Sequence, residues 1–150
     1  MKLMLQRLYW QLSALLLAAH FAGAGLAIEA AMLLCTAQAL DMARQRRSLS
    51  AFPVQVRLAY LGLLGLGLWP PLAALHALQF VGVNAMLVAD YCPLARLLVL
   101  MPWNRSVPFS SALLRWAVFS PPAPGAIVDR VPSLAAAPAW GPSGHAGRRP

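Results

Sequence analysis

The sequence predicts an all-α integral membrane protein, and three observations lead there. Of 150 residues, 60% are apolar, only 11% are charged, and the mean hydropathy is +0.64. Soluble domains run nearer 45–50% apolar and about 25% charged. Four acids and twelve bases are too few to solubilise this much Leu and Ala, so lipid is the expected solvent.

The net charge of +8 comes from eleven Arg and one Lys against four acids. A nucleic-acid binder can show such a sum, but it clusters its bases on one polar face among aromatics. Here Lys2, Arg7, Arg44, Arg46, Arg47, Arg57, Arg96, Arg105 and Arg115 stand at the ends of apolar runs. Charges so placed orient membrane proteins and meet anionic headgroups. The expected environment is therefore the bilayer, not nucleic acid, and the Arg-for-Lys bias fits a GC-rich bacterial genome, hence an inner membrane.

Three spanning helices are expected. Between Leu8 and Leu40 the only charge is Glu29, so Leu12 to about Leu34 reads as the first span. Lys2 and Arg7, the Leu12–Ala19 run and Ala22-Gly23-Ala24 also resemble a secretory signal with its small-residue cleavage site. Apolar sequence continues through Met32-Leu33-Leu34, which favours a retained helix. Leu58 to Ala89 then runs 32 residues without a charge and contains Trp69-Pro70-Pro71. Paired prolines remove two backbone donors and disfavour helix before them. The second and third spans, about Val54 to Leu68 and Pro71 to Tyr91, thus form a hairpin at Trp69-Pro70-Pro71. A single kinked helix is the competing reading. The 41–57 segment has four Arg against one Asp and should be cytoplasmic. Three spans then put the N-terminus outside and the C-terminus inside, with Lys2 and Arg7 dissenting.

Beyond the spans, the stretch Leu94–Met101 is too short to cross and fits a kinked extension or an interfacial turn. Ser110 followed by Ser111–Phe119 reads as an N-capped interfacial amphipathic helix. Seven prolines fall between Pro121 and Pro150, a composition expected to stay disordered. The organisation is a transmembrane helical domain over 1–105, an interfacial helix over 106–120 and a Pro/Ala-rich tail over 121–150. Tyr91-Cys92-Pro93-Leu94-Ala95-Arg96 and Met101-Pro102-Trp103-Asn104-Arg105 are dense in conformationally restrictive residues.

Polar side chains inside lipid are the candidates for function, because each is costly unless paired or facing a cavity. His20 and Glu29 are nine residues apart and fall on opposite helix faces. His76, Gln79 and Asp90 fall within about 60° of one another as a polar stripe, with Asn84 off it. His20 and His76 lie at depths where their imidazoles can meet, and Glu29 and Asp90 lie toward Arg57 and Arg96. Interhelical hydrogen bonding is the ordinary use of such groups. Axial ligation of haem b by His20 and His76 is one alternative; an ion or proton path along His76, Gln79 and Asp90 is another.

Cys35 and Cys92 form no Cys-x-x-Cys or Cys/His motif, and no hydrolase, Walker or metalloprotease motif occurs. An enzyme is not expected. Ala19, Gly23, Ala27 and Ala31 repeat every four residues, and Gly62, Gly65 and Gly67 thin the second span, as close-packing ridges do. The sequence reading is a non-enzymatic accessory or assembly subunit acting through helix contacts with another membrane subunit or a second copy. A haem electron carrier and an oligomeric transporter or channel are its rivals.

Overall fold

One glycine sets the architecture. Gly23 takes φ +92°, a conformation that only a residue without Cβ adopts at little cost. The Ala24 N–H then donates to Ala19 O at 2.9 Å and the Gly23 N–H to His20 O at 3.0 Å. These are the two bonds of a Schellman stop, and the chain reverses there. The computed structural model, which describes residues 2–105, 107–121 and 127–131, therefore has α1 over Lys2–Phe21 and α2 over Ala27–Arg46. The expected single span from Leu12 to Leu34 is corrected to two antiparallel helices.

The remaining elements follow their sequence signals more closely. The 41–57 segment is mostly helix: α2 runs to Arg46, where Arg47 at φ 52° ends it, and α3 occupies Phe52–Gly67 with Pro53 in its first turn. Only 47–51 is loop. Trp69 is extended, Pro70–Leu72 forms a 3-10 turn and α4 covers Ala74–Ala89, so the prolines make a hairpin. Asp90, at φ 50°, stops α4; Asp tolerates this region better than most residues. Then come α5 (Pro93–Leu98), α6 (Ser111–Phe119) and a 3-10 turn at Ile127–Arg130. The Ser110 hydroxyl caps α6, accepting from Leu113 N–H at 3.1 Å.

The described residues are all-α, with no strand among them. One helical stretch, Pro70–Ala89, with a mean hydropathy of 1.7, is long and apolar enough to cross a membrane; Phe52–Gly67 is apolar but shorter. The Pro-rich tail also needs correction, since Ile127 is buried against Val99 and Ala117. The remainder of the expected tail, 122–126 and 132–150, lies outside the described residues.

The four long helices form an up-down-up-down bundle closed by α1 against α4. Its core is Trp10, Ala14, Leu17, Ile28, Ala31, Cys35, Tyr60, Leu64 and Val83. Helix direction sorts the charges. The start of α1, the 47–51 loop, the end of α4 and the α5–α6 segment share one end, which carries the described arginines. Arg7 joins Asp90 there at 3.1 Å. The 22–26 and 68–73 turns form the other end. The N-terminus thus lies beside the 47–51 loop, not across the bundle from it.

The expected ridge also changes. Ala19 is half-buried on α1, Gly23 is in the turn, and Ala27 and Ala31 are buried on α2. Gly65 faces Met32, whose Cε lies 4.0 Å from where a Cβ would stand, while Gly62 is exposed with open space around it.

Gly23→Ala should lower stability by about 1–2 kcal/mol, the cost of a left-handed residue. Gly25→Ala, with negative φ and nothing within 4 Å of its Cβ, should leave the melting temperature unchanged. Thermal circular dichroism in detergent distinguishes them; equal melting temperatures would show that the turn does not depend on Gly23.

Candidate functional site: a polar core between the helices

The most buried positions of α1 to α4 include polar side chains. Ser13, Gln38, Arg57, His76 and Gln79 are each at most 5% exposed. Large apolar side chains such as Leu15, Leu33, Leu66 and Val88 are at least half exposed. A buried polar group costs free energy unless it is hydrogen-bonded, and here the partners are mainly helix carbonyls of the next helix. Gln38 Nε2 donates to Tyr9 O at 3.4 Å and approaches Ser13 Oγ at 3.5 Å; Ser13 Oγ donates to Tyr9 O at 3.0 Å. Cys35 Sγ donates to Arg57 O at 3.2 Å. Gln79 Nε2 donates to Tyr60 O at 2.9 Å, and His76 Nε2 lies 3.2 Å from Leu64 O.

His76 and Gln79, three apart on α4, meet Leu64 and Tyr60, four apart on α3. Antiparallel helices present one such pair to another on facing turns. The expected stripe is therefore real for His76 and Gln79 and ends there. Asp90 leaves it, because it caps α4 and pairs with Arg7 at the surface. Asn84 bonds its own helix at Phe80 O, 2.8 Å away. Glu29 needs the same kind of correction: the break at Gly23 puts it, exposed, in the first turn of α2 at the end opposite Arg57 and Arg96. A carboxylate there faces the positive end of the helix dipole.

His20 and His76 do meet. Their ring centroids are 5.1 Å apart at 83°, and Phe21 on Phe80 extends the contact at 5.8 Å. Gly67 makes room: a Cβ there would overlap the His76 imidazole. Axial ligation needs the two imidazoles on opposite faces of a porphyrin, each with a nitrogen aimed at the iron. In the observed arrangement the rings touch edge to face and His76 Nε2 is directed at Leu64 O, so the pair joins α1 to α4. Among the described residues, no three His, Cys, Asp or Glu side chains converge on a point.

The residue that sequence reading missed is Arg57. Placed at the edge of a basic loop, it is instead 2% exposed inside α3. One terminal nitrogen donates to Pro53 O at 2.9 Å, and the guanidinium carbon stands 5.5 Å over the Trp10 ring. Among the described residues its Nε and second terminal nitrogen have no partner, and neither do Gln38 Oε1, Gln79 Oε1 and Tyr60 Oη. Asp41, on the last turns of α2, is the acid whose field reaches it. The missed signal was spacing: Val54, Arg57, Tyr60 and Leu64 share one stripe of α3, and all four are buried.

A second cluster holds the C-terminal segment. Arg96, 5% exposed, donates to Ala117 O at 2.7 Å and Ser120 Oγ at 2.8 Å, with its guanidinium 4.1 Å over Tyr91. Tyr91 Oη donates to Val118 O at 2.8 Å. A cation on the last carbonyls of α6 complements the helix dipole. Trp103 Nε1 and Asn104 Nδ2 both donate to Gln55 Oε1, at 3.0 and 2.7 Å. The two restrictive segments seen in the sequence therefore bind α6 and α3. Cys92 caps α5, accepting from Ala95 N–H at 3.5 Å. Burial pushes its thiol pKa up, against the opposing pull of backbone N–H groups and of Arg96 and Arg57.

Comparison with protein-family models, curated proteins and solved structures finds no match.

Arg57→Met should raise stability by about 1–4 kcal/mol, since apolar replacement of an unpaired buried charge removes its desolvation cost. A fall in melting temperature would show that the guanidinium is compensated. Gly67→Ala should cost about 1–3 kcal/mol by overpacking, and His76→Ala in the same chain should recover most of it. Additive losses in that double-mutant cycle would exclude the ring contact as the cause.

Proposed function

We propose that this chain is an integral membrane protein of a bacterial cytoplasmic membrane, a four-helix bundle serving as a non-enzymatic accessory or assembly subunit. The observation that carries the membrane reading is the apolar exterior: Leu15, Leu33, Leu66, Leu78, Val81 and Val88 are each more than half exposed, while Arg57, Gln38, His76 and Gln79 are buried among the apolar core residues. Hydrocarbon tolerates so much uncovered Leu and Val on the helix surfaces, whereas water favours charged and polar side chains there.

The gathering of arginines at one end supports an orientation with that end in the cytoplasm. N-terminus, 47–51 loop and C-terminal segment then lie together inside. The 22–26 and 68–73 turns face outward, with Glu29 beside the first. The lengths are compatible: α1 and α2, at 20 residues each, are about 30 Å long, and α3, at 16, about 24 Å. Basic side chains at the ends of such helices reach the headgroups by snorkelling.

The accessory role is supported by what the helix surfaces offer. Leu58, Gly62 and Leu66 form an exposed strip on α3 with a glycine notch at its centre, and α4 buries only His76, Gln79 and Val83. Small notches and uncovered apolar faces suit a neighbouring helix.

Reporter fusions test the orientation. Alkaline phosphatase should be active when inserted after Ala24 or Trp69 and inactive at residue 49 or the C-terminus. Activity at residue 49 would reverse the bundle, and release of the protein from membranes by alkaline carbonate would remove it from the bilayer. For the accessory role, extraction in digitonin should give a particle with a second polypeptide or copy at fixed stoichiometry. A single monomeric polypeptide in that extract overturns the assembly reading.

A further inference from the structure

A crevice of about 400 Å³ lies beside α4 in the half of the bundle nearer the arginines. Leu78, Gly82 and Met86 line it on α4, and the buried Trp10 and Tyr60 line it from the core. Pro93 and Leu97 line it at its basic end. Its volume is that of small-ligand sites, about 300–1,000 Å³. We propose that this crevice seats an acyl chain of an anionic phospholipid whose phosphate lies at the arginine-bearing end. The inference rests on the membrane reading above and adds a ligand to it.

Shape favours a chain over a helix. Leu78 to Met86 spans about 12 Å of α4, little more than two turns. A docking helix needs a groove running along its neighbour, with anchors over several turns. An extended hydrocarbon chain needs only a short, narrow apolar slot. The slot opens outward, because Leu78 and Val81 in its lining are each 64% exposed.

Charge favours an anionic headgroup. Arg7 precedes the lining residue Trp10 by three positions on α1, which places them on neighbouring turns of one face. The Arg7 side chain is 65% exposed, and it bonds Asp90 through one terminal nitrogen, at 3.1 and 3.4 Å. Asp90 directly precedes Tyr91-Cys92-Pro93 of the lining. It offsets one charge, yet the same end also carries the exposed Arg44, Arg46 and Arg47, with Asp41 and Asp129 as its other described acids. Guanidinium groups bind phosphate oxygens through paired N–H donors, and an arginine-rich surface concentrates anionic lipid.

Trp10 provides the readout. The full chain with Trp69→Phe, Trp103→Phe, Trp116→Phe and Trp140→Phe retains one indole, in the lining. Reconstituted in phosphatidylcholine vesicles, it should be quenched about two- to fivefold more by chain-brominated phosphatidylglycerol than by chain-brominated phosphatidylcholine, the ratio expected from an exposed ion pair. Arg7→Gln should reduce the ratio toward one. Gly82→Leu should remove quenching by both lipids: a Cβ at Gly82 stands 3.9 Å from Pro93, an ordinary contact, so a larger side chain enters the slot. Gly82→Ala serves as the folded control and should keep most of the quenching. Equal quenching by both lipids overturns the headgroup assignment. Absent quenching in protein inserted in vesicles overturns the site, as does quenching that disappears when the chain self-associates, because a second copy then fills the slot. Failure to insert into vesicles at all is a failure of the membrane reading itself, and is read separately by flotation.

Discussion

Helix carbonyls accept side-chain donors through the lone pair their own N–H bond leaves, or through both at a helix end, and this fold depends on it. Gln38 on Tyr9 O ties α2 to α1, and Cys35 on Arg57 O ties α2 to α3. His76 and Gln79 on Leu64 O and Tyr60 O tie α4 to α3, and Arg96 on Ala117 O ties α5 to α6. Contacts of this type are worth about 0.6–2 kcal/mol each in membrane helices. Their larger effect is on register, since a shifted helix would leave buried donors without acceptors. The α1–α4 seam is held differently, by Arg7–Asp90 at one end and His20–His76 at the other.

The same constraint explains where the polar residues lie. With large apolar side chains over much of the outside, the buried Gln38, His76 and Gln79 find their acceptors on the backbone of neighbouring helices. Small residues make this possible. Ala31 and Cys35 let α2 approach its neighbours, and Gly67 leaves space for an imidazole against the backbone of α3. Packing and hydrogen bonding are therefore one arrangement here. Arg57 is the exception, a buried cation with one carbonyl, one aromatic face and, among the described residues, no carboxylate within bonding distance. Groups of that kind inside a membrane bundle mark either a site of function or a position that holds one conformation at some cost in stability.

Helix polarity and charge reinforce each other at the arginine end. The up-down-up-down path returns the chain to that end after each hairpin, so every connection carrying arginine is gathered there. Cations beside the carbonyl ends of α2 and α6 complement their dipoles. Glu29 at the amino end of α2 does the same with opposite sign. One topology thus satisfies the local electrostatics of the helices and the asymmetry a bilayer reads.

The all-α class was legible in the composition and the long apolar runs, because these depend on how much apolar surface exists and not on where it goes. Pro70-Pro71 marked a hairpin and Ser110 a helix start, because missing donors and capping oxygens act within a few residues. The approach of His20 to His76 and the shared face of His76 and Gln79 were also legible, from helical rotation and depth. The break at Gly23 was not: glycine and alanine suit a packed helix and a turn equally, and only closure of α1 on α2 selects the turn. The turn there puts Glu29 at the far end, brings the N-terminus to the end of the bundle that holds the 47–51 loop, and dissolves the small-residue ridge. Arg57, Arg96 and Gln38 were hidden for a related reason. A polar side chain on an apolar stripe is recognised as buried only when neighbouring helices, brought together by the whole fold, supply its carbonyls.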